Sequence, residues 1–140
     1  RKTPAEAPLS DSDQLAIAAL RSLFSAPPEQ AMPRLRKVLA GAHNDEVKAR
    51  ALVVLAQVDS TEAGPLLAEV ARTGSARLQR DAIRALAIRG DAASLETIRQ
   101  LASTVGPETR GAVREAMVIA QDKAGLVQWA RTASTDEDRQ

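Results

Sequence analysis

The stretches DEVKARALVVLAQV (45–58) and RDAIRALAIRG (80–90) place apolar side chains three and four positions apart, the spacing that gathers them on one face of a helix. No stretch alternates with period two, so strands are not expected. Followed along the chain, the pattern predicts eight helices, over about 13–24, 29–40, 45–58, 62–73, 76–89, 92–104, 108–121 and 123–133. The breaks have local chemistry to explain them. Pro28 falls where a helix can begin, because its missing N–H is not needed there, and Pro33 and Pro65 are expected in first turns. Gly41, Gly74, Gly90 and Gly106 are expected just past helix ends, where left-handed backbone is often required. Asn44, Ser60 or Thr61, Ser75, Asp91 and Asp122 are candidate N-caps.

Laid over one another, the helices repeat about every 31 residues. Leu20, Leu52, Ile83 and Val113 fall in register, followed by Leu23, Leu55, Leu86 and Ala116 and preceded by Ala19, Ala51, Ala82 and Ala112. In the alternate helices Leu35, Leu67, Ile98 and Trp129 align, as do Val38, Val70 and Leu101. The 3.6-residue period explains neighbours within one helix but not agreement at this distance. Periods of this length mean stacked helix pairs, in which one pair cannot bury its own apolar stripe and neighbouring pairs cover each other. Composition fits such thin layers. With 28 Ala and 15 Leu but one Phe, one Trp and no Tyr, the chain favours helix and close helix–helix approach over a core of large rings.

The net charge of +1 declares no global field, so any electrostatic role must come from local clusters. There is no Cys, which excludes disulfides and thiolate metal sites. No run approaches the roughly 20 apolar residues of a membrane span. The chain begins with Arg1, as a mature or excised fragment would, and a soluble protein is expected, the sequence leaving cytoplasm and periplasm equally open. Residues 1–12 are expected as a leader or linker, 13–133 as the helical repeat domain and 134–140 as a polar tail.

The segment from Asp45 is similar to the second helix of a HEAT repeat, whose pattern is Asp, then Val with Arg or Lys, then spaced Ala and Leu. Here these are Asp45, Val47, Lys48, Ala51, Leu52 and Leu55. EAGPLLAEVARTG (62–74) resembles the first helix of the next repeat, with its acidic residue, Pro and paired Leu. In later copies Leu78 and then Glu108 stand in place of Val47, and Arg80 sits one position past the usual basic site. The resemblance spans 13–133 and is best over 29–104. It implies an all-α fold, an α-solenoid in which antiparallel helix pairs, about eight helices in all, form a HEAT-like superhelix. If 29–40 is a first helix and 45–58 its mate, then 13–24 is an unpaired second helix at the front. Likewise 123–133 is an unpaired first helix at the back, so both ends are expected to need capping faces or further protein.

Catalytic chemistry is poorly supplied. His43, the single histidine, lies in the turn GAHND and reads as a solvated loop side chain. No Gly-rich phosphate loop occurs, and the repeated His-Glu pairs of HEAT-type metal hydroxylases are missing. No cofactor, metal site or enzyme activity is expected. Basic residues give the one specific site hypothesis. Arg80 and Arg84 are four apart and share a helix face, and Arg110 and Arg114 occupy the equivalent places on the next second helix. Arg77 extends the first row, and Lys48 and Arg50 lie on the preceding second helix. Second helices line the concave surface of a HEAT stack, so these side chains would form rungs roughly 10 Å apart, suited to phosphates or an acidic peptide. The plainer reading is a solvated face on which Asp81 and Glu115 balance part of the charge. Trp129 reads as core by its alignment, with an interface anchor as the alternative, and Phe24 reads as core. The function implied is a non-catalytic protein–protein interaction scaffold that takes a peptide or protein partner on the concave face. The alternatives are nucleic-acid binding through the Arg ladder, or a regulatory domain of a larger enzyme.

Overall fold

The computed structural model describes residues 8–104, 106–122, 126–127 and 129–131. They form α1 (Asp11–Leu23), α2 (Pro28–Ala40), α3 (Asp45–Leu55), α4 (Ala63–Thr73), α5 (Ala76–Arg89), α6 (Ala92–Leu101) and α7 (Pro107–Ile119). Residues 126–127 and 129–131 are helical as well, and no strand occurs among the described residues. The expected all-α solenoid is the fold. The second helices α1, α3, α5 and α7 pack in sequence as one layer, while α4 and α6 meet in the other. Of the expected leader (1–12), residues 1–7 lie outside the described residues, as does the tail (134–140), while Asp11 and Ser12 already belong to α1.

The helix starts follow from capping chemistry. Asn44, Ser75 and Asp91 each accept from a backbone N–H of the first turn, at 2.8, 3.3 and 2.7 Å. Such a bond satisfies one orphan donor and stabilises by about 1 kcal/mol. Pro28 and Pro107 open α2 and α7. Ser10 begins α1 two residues earlier than the apolar pattern implied, through a reciprocal box in which Ser10 Oγ accepts from Asp13 N and Asp13 Oδ2 accepts from Ser10 N.

The breaks depart from expectation in informative ways. Among the described glycines, only Gly90 uses left-handed backbone, with φ +64°. Gly41 and Gly74 end their helices in extended conformation, and Gly106 is the N-cap of α7 rather than the end of α6. Pro33 lies inside α2, beyond its first turn. Ser60 Oγ accepts from Glu62 N, in the turn before α4, while Glu62 itself occupies the cap position without a side-chain bond. α3 stops at Leu55, short of 58, because the chain turns at Val58–Ser60 under Arg89. That guanidinium donates from Nη1 to the carbonyls of Leu55 (2.9 Å) and Val58 (2.7 Å), and from Nη2 to that of Ser60 (3.0 Å).

Burial follows the repeat. Leu20, Leu52, Ile83 and Val113 are buried, as are Leu23, Leu55, Leu86 and Ala116, and Leu35, Leu67 and Ile98. Each such Leu or Ile contributes about 1.5–3 kcal/mol by leaving water. Ala51 and Ala82 are fully buried, and their lack of bulk lets neighbouring second helices approach closely. Trp129 is partly buried against this core, in agreement with its alignment. The front of the stack breaks the rule. Leu15 is 73% exposed, although its equivalents Val47 and Leu78 are 0% and 6% exposed. Ala19 is likewise exposed where Ala51 and Ala82 are not. Among the described residues no helix precedes α1 to cover that side. Phe24, expected in the core, is half exposed at the C-terminus of α1.

Polar groups obey the same period. Ser75 Oγ donates to Asp45 Oδ2 at 2.9 Å, Arg77 to Glu46, and Arg84 to Glu115 at 3.1 Å, each spanning one repeat. His43 is the clearest correction. Instead of a solvated loop side chain it lies with Nδ1 at 3.2 Å from Asp13 Oδ1, tying the α2–α3 turn to the start of α1. Burial alone would raise the Asp13 carboxyl. Hydrogen bonds from His43, Ser10 and Asn44 outweigh it and hold the group below its ordinary value.

Candidate interaction surface

The basic residues singled out by spacing all lie on the second-helix layer. Arg50, Arg77, Arg80, Arg84, Arg110 and Arg114 are exposed, and Lys48 is half-buried. Their placement follows from the 3.6-residue turn. Buried Leu78, Ala82, Ile83 and Leu86 direct one side of α5 inward, which leaves positions 77, 80, 84 and 88 outside. On α7, buried Thr109, Val113, Ala116 and Met117 leave 110, 114 and 118 outside in the same way.

The charges do not form a stripe of one sign. Glu46 on α3 accepts from both Arg77 and Arg50, the latter at 3.2 Å, and Asp81 Oδ2 lies 3.9 Å from Arg77 Nε. The bond from Arg77, against burial and with help from Arg50, holds the Glu46 carboxyl below its ordinary value. The same bond raises Arg77. Arg84 reaches Glu115 on α7. The Arg114 guanidinium lies 6.0 Å from the centroid of the Trp129 ring, within cation–π range, and Arg110 is engaged too. Arg80 and Lys48 form no ion pair among the described residues. These pairs are solvent-facing on both sides, and exposed pairs of this kind contribute only about 0–1 kcal/mol. An incoming carboxylate or phosphate can exchange for them.

The same face has an apolar part that the spacing of the charges does not reveal. Val53 on α3 and Ile88 on α5 are 52% and 56% exposed and line one groove of about 250 Å³. Its floor is completed by Ala49, Leu52, Ala56 and Ala85, and its walls are Glu46, Arg50, Asp81 and Arg84. Val118 on α7 is 59% exposed. A signal was available in the sequence. RDAIRALAI (80–88) and RGAVREAMV (110–118) share Arg, Arg and a β-branched residue at four-residue steps. The pattern puts Ile88 and Val118 one turn beyond the paired arginines.

A smaller cleft lies at α4 and α6, lined by Gly64, Pro65, Arg89, Asp91, Ser94 and Thr97 among others. No group of three or more His, Cys, Asp or Glu side chains that could hold a metal occurs among the described residues. No helix among them is long and apolar enough to cross a membrane. A shallow cleft beside Phe24 is lined by Leu23, Ala26, Pro28, Val54 and Val58 together with Gln57 and Asp59.

A family model described as HEAT repeats matches residues 6–87 and, overlapping, residues 32–118, with C-terminal ends one repeat apart. No curated protein and no solved structure matches the chain.

Proposed function

Because the chain belongs to the HEAT-repeat family, whose members are commonly interaction scaffolds, we propose that it is a non-catalytic binding protein that takes a peptide, or a segment of a partner protein, on its second-helix face. The observation that carries this reading is the groove between α3 and α5. Two β-branched side chains stand half exposed side by side above an alanine floor, with both signs of charge on the walls. Clustered exposed apolar surface with a polar rim is a signature of interaction sites. A repeat array keeps its core positions constant and varies the outer ones, so the binding face can change without disturbing the fold. The test is selection from a random peptide display library, followed by hydrogen-exchange footprinting. Peptides should protect α3 and α5 around the groove, and Val53→Asp with Ile88→Asp should abolish the protection. Peptides that bind the double variant unchanged, or protect α2, α4 and α6 instead, would refute it.

The exposed Arg80/Arg84 and Arg110/Arg114 pairs favour one second reading, contact with nucleic-acid phosphates. Four phosphate contacts would give binding that falls with salt at a logarithmic slope of roughly −3 to −4. Charge reversal at Arg84 and Arg114 would weaken such binding. Glu46, Asp81 and Glu115, interleaved on the same face, work against that reading.

A further inference from the structure

We infer that the segment received is an acidic amphipathic helix with aliphatic side chains one heptad apart, laid across α5 and α7 along the stacking direction. The inference rests on the scaffold reading above and names the chemistry of its partner. α5 and α7 carry the same exposed column: Arg80, Arg84 and Ile88 on one, Arg110, Arg114 and Val118 on the other. In each, the first two turns present guanidinium groups and the next presents a bare aliphatic side chain. Side by side, the two columns make a basic row and, one turn away, an aliphatic row, both running across the helices. At α3 the positions in register with Arg84 and Ile88 are Val53 and Gln57, so the paired rows belong to α5 and α7 alone.

A ligand for such a surface needs two different edges. One bearing only charge would leave Ile88 and Val118 in water, and one that is only apolar would cover guanidinium groups without a partner. An amphipathic helix with carboxylates along one edge and aliphatics along the other meets both rows. The repeat distance selects helix over extended chain. Neighbouring packed helices lie about 8–10 Å apart. Heptad-spaced side chains on a helix are about 10.5 Å apart, whereas same-face side chains of a strand come about every 6.8 Å and fall out of step. The existing ion pairs do not block this arrangement. Arg84–Glu115 is exposed on both partners and exchanges for a ligand carboxylate. Arg114, near the Trp129 ring, keeps its N–H rim for a second carboxylate. Phosphate backbones would use only the basic row.

The experiment is fluorescence anisotropy on the full chain with a labelled peptide of about 20 residues, helical, Glu-rich, with leucines one heptad apart. Three comparators are measured beside it: the same peptide with Leu→Ser, the same with Glu→Lys, and a double-stranded DNA. The acidic leucine peptide should bind at least about tenfold more tightly than each comparator. Ile88→Ser with Val118→Ser should lower its affinity about tenfold without changing the salt dependence. Arg84→Glu with Arg114→Glu should lower it by a similar factor and create binding to the Lys peptide. Equal binding of the serine peptide or of DNA, or no gain of Lys-peptide binding in the charge-reversed variant, would overturn the inference. Display-selected peptides that protect the second-helix face but lack the acidic–aliphatic pattern would also overturn it, while leaving the scaffold reading intact. If neither selected nor designed peptides protect that face, both fall.

Discussion

Arg89 holds the junction between two repeats, and its removal gives the sharpest test of how the stack is tied together. The side chain is 12% exposed and donates to the carbonyl of Leu55, at the end of α3, and to those of Val58 and Ser60 in the turn that follows. Its Nε finds no acceptor, Asp91 Oδ2 being 3.9 Å away. The three bonds donated by Nη1 and Nη2 therefore carry the interaction. A hydrogen bond from a charged donor contributes about 1.5–3 kcal/mol, but burying the guanidinium costs several kcal/mol and water can rehydrate the turn carbonyls after the mutation. Arg89→Met keeps the apolar stem and removes every donor, and a net loss of about 2–4 kcal/mol is expected. At about 2.1 cal/mol/K per residue over a chain of 140 residues, that corresponds to a melting temperature lower by roughly 7–14 °C. Far-UV circular dichroism measures the shift. Hydrogen exchange should localise faster opening to the α3–α4 turn, because a repeat stack distributes stability over neighbouring units. Arg89→Lys retains the charge but not the fork, and should recover less than half of the loss. A methionine variant melting within about 2 °C of the parent, or a lysine variant indistinguishable from it, would refute the clamp.

Further outcomes follow from the same packing. Leu52→Ala should cost about 2–5 kcal/mol in chemical denaturation, as a cavity in a fully packed layer does, whereas Leu15→Ala on the open side of α1 should change stability by less than about 0.5 kcal/mol. Gly90→Ala should cost about 1 kcal/mol in the same assay because of its left-handed backbone. Gly90→Asn should cost less, since Asn tolerates that region. Asp13, Asp91 and Glu46 all have folded-state values held below their ordinary ones, by bonds from His43, from Ser94 and from Arg77 respectively. As pH falls, the unfolded chain therefore takes up these protons first. The stabilisation is whole above about pH 5 and is lost as pH drops through about 4 toward the folded values. Thermal melts between neutral and acid pH should show that decline, and Asp13→Asn should make it shallower. Parallel curves for parent and variant would count against the Asp13–His43 tie.

The helix count, the repeat of about 31 residues and most caps were legible because their chemistry is local. A 3.6-residue stripe, an Asn or Ser before it and a proline at its first position act within one or two turns. The buried series Leu52, Ile83, Val113 and Leu55, Leu86, Ala116 were readable from register alone, since a stack presents each equivalent position to the same kind of neighbour. Phe24 failed because hydrophobicity does not reveal whether a neighbour covers the C-terminus of α1. The end of α3 failed because Arg89, from the following second helix, supplies the donors that let the chain turn early. On the candidate face, spacing found the arginines but not the aliphatic row beside them. Ile88 lies in an apolar-rich helix, where inward and outward positions differ by a single 100° step.

By itself, then, the sequence determined the building block: short amphipathic helices too poor in bulk to fold alone, repeated at an interval that obliges them to stack. Tertiary structure decided which charges meet, placing Glu46 with Arg77, Arg84 with Glu115 and His43 with Asp13. It also decided which equivalent positions are covered and which, like Leu15, Val53 and Ile88, stay open. The physical reason is range. Backbone propensity and capping act over a few residues, whereas an ion pair or a covered methyl group depends on a neighbour one repeat away, whose distance and rotation arise only when the layers pack.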